Sequence, residues 1–315
     1  DLGGISNSHL PQSVTAAGVN SWVNQIRNYK SLYGYFVWDE PASGSFLQAS
    51  LLTKLYRAAD PKRLAYSCIF PSYGSYTWPA SYPAYVDSYI STVKPQVLSF
   101  DYYPFQGGTG SIATTNDLWR DFGYLRKKAL ENDIPLWYYF QAKDGNTPLS
   151  VERIKTQMSC ALAYGVKGLS YYTGVNVLTN IDGTVTAEYQ ALKAVNLRVR
   201  RIGDLLFGKE NQALYHTGLD ISYDTTYNLD SLTSSPYIAS APANLAIGVF
   251  TGGGKTYLVA ANKDHTTAAS GTLTLTNSTA ASQFNPDNGT QTDLGTLSSL
   301  SLSIEAGGIA VYVLG

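Results

Sequence analysis

Tyr33-Gly34-Tyr35-Phe36-Val37-Trp38-Asp39-Glu40-Pro41 sets an apolar, aromatic run against two carboxylates and a proline. The run reads as a buried strand that stops at its acids. Asp39 or Glu40 could cap a helix starting near Ser43, but Ser43 and Ser45 can cap that helix without help. An acid pair that ends a strand beside Trp38, with a loop and an amphipathic helix after it, suits a barrel enzyme that protonates a leaving group inside an aromatic pocket.

Outward from this strand, short apolar runs alternate with helical patterns as far as residue 200, the signature of parallel strands joined by crossover helices. The strands are expected at 33–38, 64–70, 97–103, 135–141 and 168–173. Between the first two, Leu47, Leu51, Leu52 and Leu55 form an apolar stripe that Asp60-Pro61 stops. The helix over 116–132 is expected to turn Leu118, Phe122, Leu125 and Leu130 inward. The helix over 149–164 does the same with Ile154, Met158, Ala161 and Leu162, and Gly165 ends it. After Arg198-Val199-Arg200-Arg201 the texture changes to short alternating strands rich in Thr, Ser, Val and Gly, with Gly252-Gly253-Gly254 as a hairpin loop. The expected fold class is therefore α/β plus all-β. Residues 1–202 form a (β/α) barrel domain of TIM type, and residues 203–315 form a small antiparallel β-sandwich.

Composition narrows the function. Charged residues make up 14% of the 315, below the roughly 25% of ordinary domains, while 25 tyrosines and five tryptophans lift the aromatics to 13%. With 22 basic against 23 acidic residues and no basic run, neither nucleic acid nor an anionic membrane is an expected partner. Cys68 and Cys160 are too few for a disulfide scaffold and read as small buried apolar residues, and His9, His216 and His265 are scattered, so metal-free chemistry without a cofactor is expected. The turn Asp287-Asn288-Gly289-Thr290 reads as solvated rather than as a calcium loop. Asp1-Leu2-Gly3-Gly4 lacks the form of a signal peptide, so either the protein is not exported or its leader lies upstream.

In a barrel, ligands meet the carboxyl ends of the strands, which here carry Asp39 and Glu40, then Asp101-Tyr102-Tyr103, then Gln141 with Lys143, and finally Tyr171-Tyr172. Glycosidic cleavage takes two carboxyl groups, one to protonate the departing oxygen and one to serve as nucleophile or to activate water. Glu40 is the expected proton donor, since strand alternation puts Trp38 on its face and an apolar neighbour raises a carboxyl pKa. Asp101, directed inward by alternation, leads for the second carboxylate, with Asp39 next; for Asp101 the plain alternative is a residue that orients a tyrosine or lysine. Sugar rings pack their C–H faces on aromatics, which makes Trp38, Trp78, Tyr102, Tyr103, Trp137, Tyr139, Tyr171 and Tyr172, with the amide of Gln141, the candidate carbohydrate contacts. At most half of the aromatics near the strand ends are expected to touch ligand. A glycan-binding protein without catalysis is the main alternative. A lyase or esterase is disfavoured by the lack of a Gly-x-Ser-x-Gly elbow.

The run from Gly34 to Pro41, the helix ending at Asp60-Pro61, Ser99-Phe100-Asp101-Tyr102-Tyr103-Pro104 and Leu162-Ala163-Tyr164-Gly165-Val166-Lys167-Gly168 together resemble the glycoside-hydrolase barrels of clan A type, bacterial secreted members with a trailing β-sandwich. The resemblance implies a (β/α)8 barrel, a secreted or cell-surface location, and Glu40 as the acid/base glutamate at the end of the fourth strand. Two departures stand out. The strand matching the family's seventh ends in Gln141 rather than a nucleophilic glutamate, which leaves an inverting reaction, another nucleophile, or binding alone. Strands one to three have no counterpart, so an open barrel edge is expected, covered by a preceding segment or a second copy.

Overall fold

The computed structural model describes residues 14–74, 80–107, 116–218 and 227–315. The chain divides into two compact units, Asp1–Tyr102 with Lys127–Tyr138 and Tyr103–Arg126 with Tyr139–Gly315.

In the first unit, α1 (Ala16–Ile26) starts where the Thr15 hydroxyl accepts the Gly18 N–H at 3.1 Å. β1 (Gly34–Asp39), β2 (Leu64–Ile69) and β3 (Leu98–Tyr102) alternate with α2 (Phe46–Ala59) and α3 (Tyr82–Val93) and pair in parallel. Strand β4 (Leu136–Gln141) begins in this unit and continues into the second, and the whole sheet runs β1-β2-β3-β4-β7, with β7 at Gly168–Tyr172. All five strands sit within a residue or so of the expected positions. Among the described residues the parallel sheet has five strands, a half-barrel rather than a closed ring of eight.

Helix α2 departs from the expected stripe. Leu47 and Leu51 are 76% and 53% exposed, and the face that packs carries Phe46, Ala49, Leu52, Thr53 and Tyr56. The face is set by aromatics at its two ends: Phe46 meets Tyr85 and Tyr89, and Tyr56 meets Tyr35, all with ring centroids 5.1–5.5 Å apart. The Tyr35 hydroxyl then donates to Asp60 at 2.9 Å, and Arg63 pairs with the same carboxylate at 2.7 Å. The stop at Asp60-Pro61 is thus a buried polar clamp as well as a helix breaker.

The second unit takes the start of α4 (Asn116–Glu131), the small hairpin β5 (Lys143–Asp144) and β6 (Thr147–Pro148), α5 (Val151–Ala163), β7 and α6 (Tyr189–Leu206). Leu118, Phe122 and Leu125 of α4 are fully buried as expected, but Leu130 is exposed and Ala129 is buried near it. All four expected core positions of α5 are buried, and Gly165, at φ +81°, ends it by donating to Leu162 O.

From β8 (Glu210–His216) onward the structure is antiparallel: β9 (Ile238–Ser240), β10 (Leu245–Gly252), β11 (Lys255–Asn262), β12 (Ala269–Asn285), β13 (Thr290–Ile304) and β14 (Ile309–Leu314). These strands form one hydrogen-bonded sheet, ordered β13-β12-β14-β11-β10-β8 with β9 on β12, where two facing sheets were expected. The 17-residue β12 explains the difference. Its register slips between Thr274 and Thr279, and on either side of the slip it pairs with β13 while only residues 281–284 pair with β14. Leu273 and Leu275 of β12 and Leu300, Leu302 and Ile304 of β13 share a single core with Ile247, Leu258 and Tyr312, so one bent sheet supplies both walls. Gly253 and Gly254, at φ +62° and +75°, make the β10–β11 turn.

Two further features bind this unit together. Gly248 of β10 lies flat against the Ala163 carbonyl, where a Cβ would collide with backbone. The turn 286–290 is tied to α6 by an Arg198–Asp287 ion pair at 2.9 Å and by Arg201 donating to the Pro286 carbonyl at 3.0 Å.

Candidate active site

The acid-bearing site is built within the first unit, at the carboxyl ends of β1, β2 and β3. Phe36 pairs with Tyr66, but Trp38 pairs with Ser67 and Asp39 with Cys68, so Val37 and Trp38 oppose a single residue of β2. This bulge breaks the alternation that would have put Trp38 on the face of Glu40. Trp38 is buried, and its indole N–H has no hydrogen-bond partner among the described residues. Glu40 itself has left the strand: its φ is +49°, a region that non-glycine residues seldom occupy, and its N–H donates to Cys68 O at 2.8 Å.

That turn brings the Glu40 carboxyl into a hydrogen bond with Asp101, which is 4% exposed at the end of β3. Burial first, then the charges of Asp101 and Asp39, lift the Glu40 pKa from its usual 4.5 to about 8. Glu40 therefore keeps its proton at neutral pH and shares it with Asp101. Asp39 is exposed in area, yet its place over the packed strand end removes enough water to raise its carboxyl too. The fourth member is Cys68, whose thiol is pushed far up by burial and then by Asp101 and Asp39, and whose Sγ points to Ile69 O at 3.9 Å. Cys68 is the small buried residue expected from the sequence. It also stands opposite Asp39 in the β1–β2 pairing, and its carbonyl accepts the Glu40 N–H.

Tyr85 on α3 was missed altogether. Its hydroxyl donates to Pro41 O at 2.8 Å and accepts from Phe70 N at 3.3 Å, bridging the chain just past Glu40 to the end of β2. A tyrosine in the first turn of a helix carries no sequence signal for such a role; only its two hydrogen bonds reveal it.

The candidate carbohydrate contacts divide. Trp78 lies outside the described residues. Tyr102 is buried, its ring edge-on to half-exposed Tyr73 at 5.1 Å and its carbonyl accepting from Tyr138 at 2.9 Å. Trp137 is not at a carboxyl end: as the second residue of β4 it meets Tyr66 and Tyr33 at 5.1 and 6.4 Å, at the opposite end of the strands from the acids.

In the second unit, Tyr103 stacks on Tyr172 at 4.7 Å and 23°, and Tyr172 is 47% exposed. Tyr139 is half-buried. Tyr171 points away from that pair, donating to Asn196 of α6 at 2.9 Å with its ring edge-on to Phe140, and so serves packing. Gln141 is 2% exposed and its amide is committed at both ends: Oε1 accepts from Phe105 N at 2.7 Å and Nε2 donates to Lys143 O at 3.1 Å. An ionised glutamate could not make the second bond.

No family model and no curated protein sequence matches the chain. Solved structures do match its fold. A GH30 endoxylanase from Clostridium papyrosolvens C71 is similar at 15% identity over 95% of this chain and 70% of its own, with a TM-score of 0.51. The α-amylase of Geobacillus thermoleovorans, complexed with acarbose, matches at 13% identity over 95% and 63%, TM-score 0.52. A structure described as a glycoside hydrolase matches at 10% identity over 95% and 68%, TM-score 0.58. The chain shares with these glycoside hydrolases the fold described above, a parallel half-barrel sheet followed by an antiparallel sheet. At these identities the likeness speaks for the fold and leaves the activity to the site.

Proposed function

We propose that this chain is a glycoside hydrolase that cleaves O-glycosidic bonds of an oligo- or polysaccharide by carboxylate acid/base catalysis, with residues 1–202 as the catalytic domain and a secreted or cell-surface location. The observation that carries the reading is Glu40: a carboxyl held protonated to about pH 8 at a strand's carboxyl end, as a proton donor to a leaving oxygen must be. In this reading Asp101 holds the proton on Glu40. A direct hydrogen bond is closer than the ~5–5.5 Å of a retaining pair or the ~6.5–9.5 Å of an inverting one, so Asp101 takes the role of the second carboxylate only if substrate parts the two. Asp39, more open to water, is the remaining base. Tyr103 and Tyr172 are the aromatic platform for a sugar ring, and Trp38 and Tyr102 act from behind the surface.

The test is reducing-sugar release across a glycan panel by the protein and its Glu40→Gln variant. Hydrolysis should collapse, by on the order of 10²–10⁴-fold for loss of a general acid, while binding persists. Unchanged turnover in the variant removes Glu40 as the acid.

A second reading, glycan binding without cleavage, is favoured by one observation: Gln141 stands where the resembling family carries its nucleophile, and its amide is fully engaged in holding backbone. Retention of the native protein by a glycan in affinity gels, with no sugar released from that glycan, selects this reading.

A further inference from the structure

Phe105 follows Tyr103 by two residues and is fully buried within the second unit. Its N–H is held by Gln141, and Gln141 is itself held by Gln157, which donates to the Gln141 carbonyl at 2.8 Å and accepts its N–H at 3.0 Å. Its ring is held by two other elements. The Arg153 guanidinium of α5 lies over the ring face, 5.0 Å from the centroid, and the imidazole of His265, in the loop between β11 and β12, stands edge-on at 5.4 Å and 79°. Arg153 Nε also donates to His265 Nε2 at 3.5 Å, while His265 Nδ1 has no hydrogen-bond partner among the described residues. The imidazole is therefore oriented by Arg153 and the phenyl ring.

We propose that His265 of the antiparallel sheet is a positioning residue for the aromatic platform: by clamping Phe105 against Arg153 it fixes the segment that stacks Tyr103 on Tyr172. The β11–β12 loop then braces, within the second unit, the segment that carries the platform. Only the neutral imidazole with its proton on Nδ1 can accept from Arg153. The charged groups that act on it are Arg153, which opposes protonation, and Asp264 and Glu152, which favour it; burial and Arg153 outweigh the two acids and hold the imidazole neutral below its usual range. That the platform receives a sugar ring rests on the reading given under Proposed function. The brace itself does not.

The experiment places 3-fluorotyrosine at position 172 and follows its ¹⁹F resonance, which the facing Tyr103 ring shifts. His265→Ala should move the resonance toward that of a solvated tyrosine, and His265→Phe, which restores an aromatic edge, should return it. Phe105→Leu, which keeps apolar bulk but removes the clamped ring, should act like His265→Ala and guards against a variant that fails to fold. An unmoved resonance in His265→Ala, or a His265→Phe protein that behaves like the alanine variant, overturns the proposal. Affinity gels containing soluble xylan or starch read the second layer: where the native protein is retarded, His265→Ala should weaken retention by about tenfold, the loss of one aromatic contact. If the resonance behaves as expected and no gel retards the native protein, the brace stands and the carbohydrate reading fails.

Discussion

Glu40 concentrates the chemistry in a single proton. A group ionised only above about pH 8 makes the acid form the working one, so kcat/KM for glycan cleavage should hold through neutrality and fall as pH rises through about 8. The same shift bears on stability. Between its ordinary 4.5 and about 8, folded Glu40 keeps a proton that the unfolded chain has lost, so this group makes the fold progressively less stable as pH rises across that window. Glu40→Gln should remove this slope and raise unfolding free energy at pH 8 by about 1–2 kcal/mol, less than a fully buried group would give because Glu40 is partly open to water. Chemical denaturation at pH 5 and pH 8 measures it. Tyr85→Phe is the converse case. It strips the Pro41 carbonyl and the Phe70 N–H of their buried partner, and should cost about 1–3 kcal/mol in the same assay and reduce turnover by loosening the Glu40 turn. At this scale the acids were legible because carboxylates at the end of an apolar strand are conspicuous. Cys68 and Tyr85 were not, because their importance comes from what packs across from them.

At the scale of elements, periodicity located every strand of the parallel sheet and the core face of α5, where one apolar stripe had no rival. It misplaced the face of α2. Leu47 and Leu51 are as apolar as Leu52, and only the aromatic contacts of Phe46 and Tyr56 decide which side turns inward. Nor could alternation foresee the bulge at Val37 and Trp38, since an inserted residue leaves no mark on composition. Beyond residue 201 the alternation marks antiparallel strands in general, but it does not show β8, β9 or β13, and the lengths of β12 and β13, 17 and 15 residues, are hidden among Ser and Thr residues with little contrast between faces. Contact between elements makes its own prediction. Gly248→Ala would drive a Cβ into the Ala163 backbone of α5, where no side chain can yield, and should destabilise by about 3 kcal/mol or more, or abolish folding, as thermal unfolding would show.

For the whole molecule, a buried polar chain in the second unit sets the response to pH beyond the site. Tyr164 meets His216 Nε2 at 2.9 Å, Lys263 donates to His216 Nδ1 at 3.3 Å, and Lys263 lies near the Trp119 ring, with all four side chains almost wholly buried. Burial brings the Lys263 ammonium down from 10.5 to about 8 and, aided by Lys263, keeps His216 neutral far below 6.5. From about 8 to 10.5 the unfolded chain holds a proton at this lysine that the folded chain lacks, so its contribution to stability rises with pH there. Below 6.5 the unfolded histidine takes up a proton that the folded one refuses, so stability falls on acidification. Lys263→Met should flatten the alkaline rise relative to the native protein while leaving the acid limb of His216 in place, as thermal midpoints from pH 5 to 10 would report.

The backbone passes from one compact unit to the other three times, at Tyr102–Tyr103, Arg126–Lys127 and Tyr138–Tyr139, the last of these inside β4. Neither unit is one uninterrupted length of polypeptide. A single fusion joint cannot lend either of them to another protein, and gene shuffling that swaps modules end to end would have to carry the pair as one inheritance.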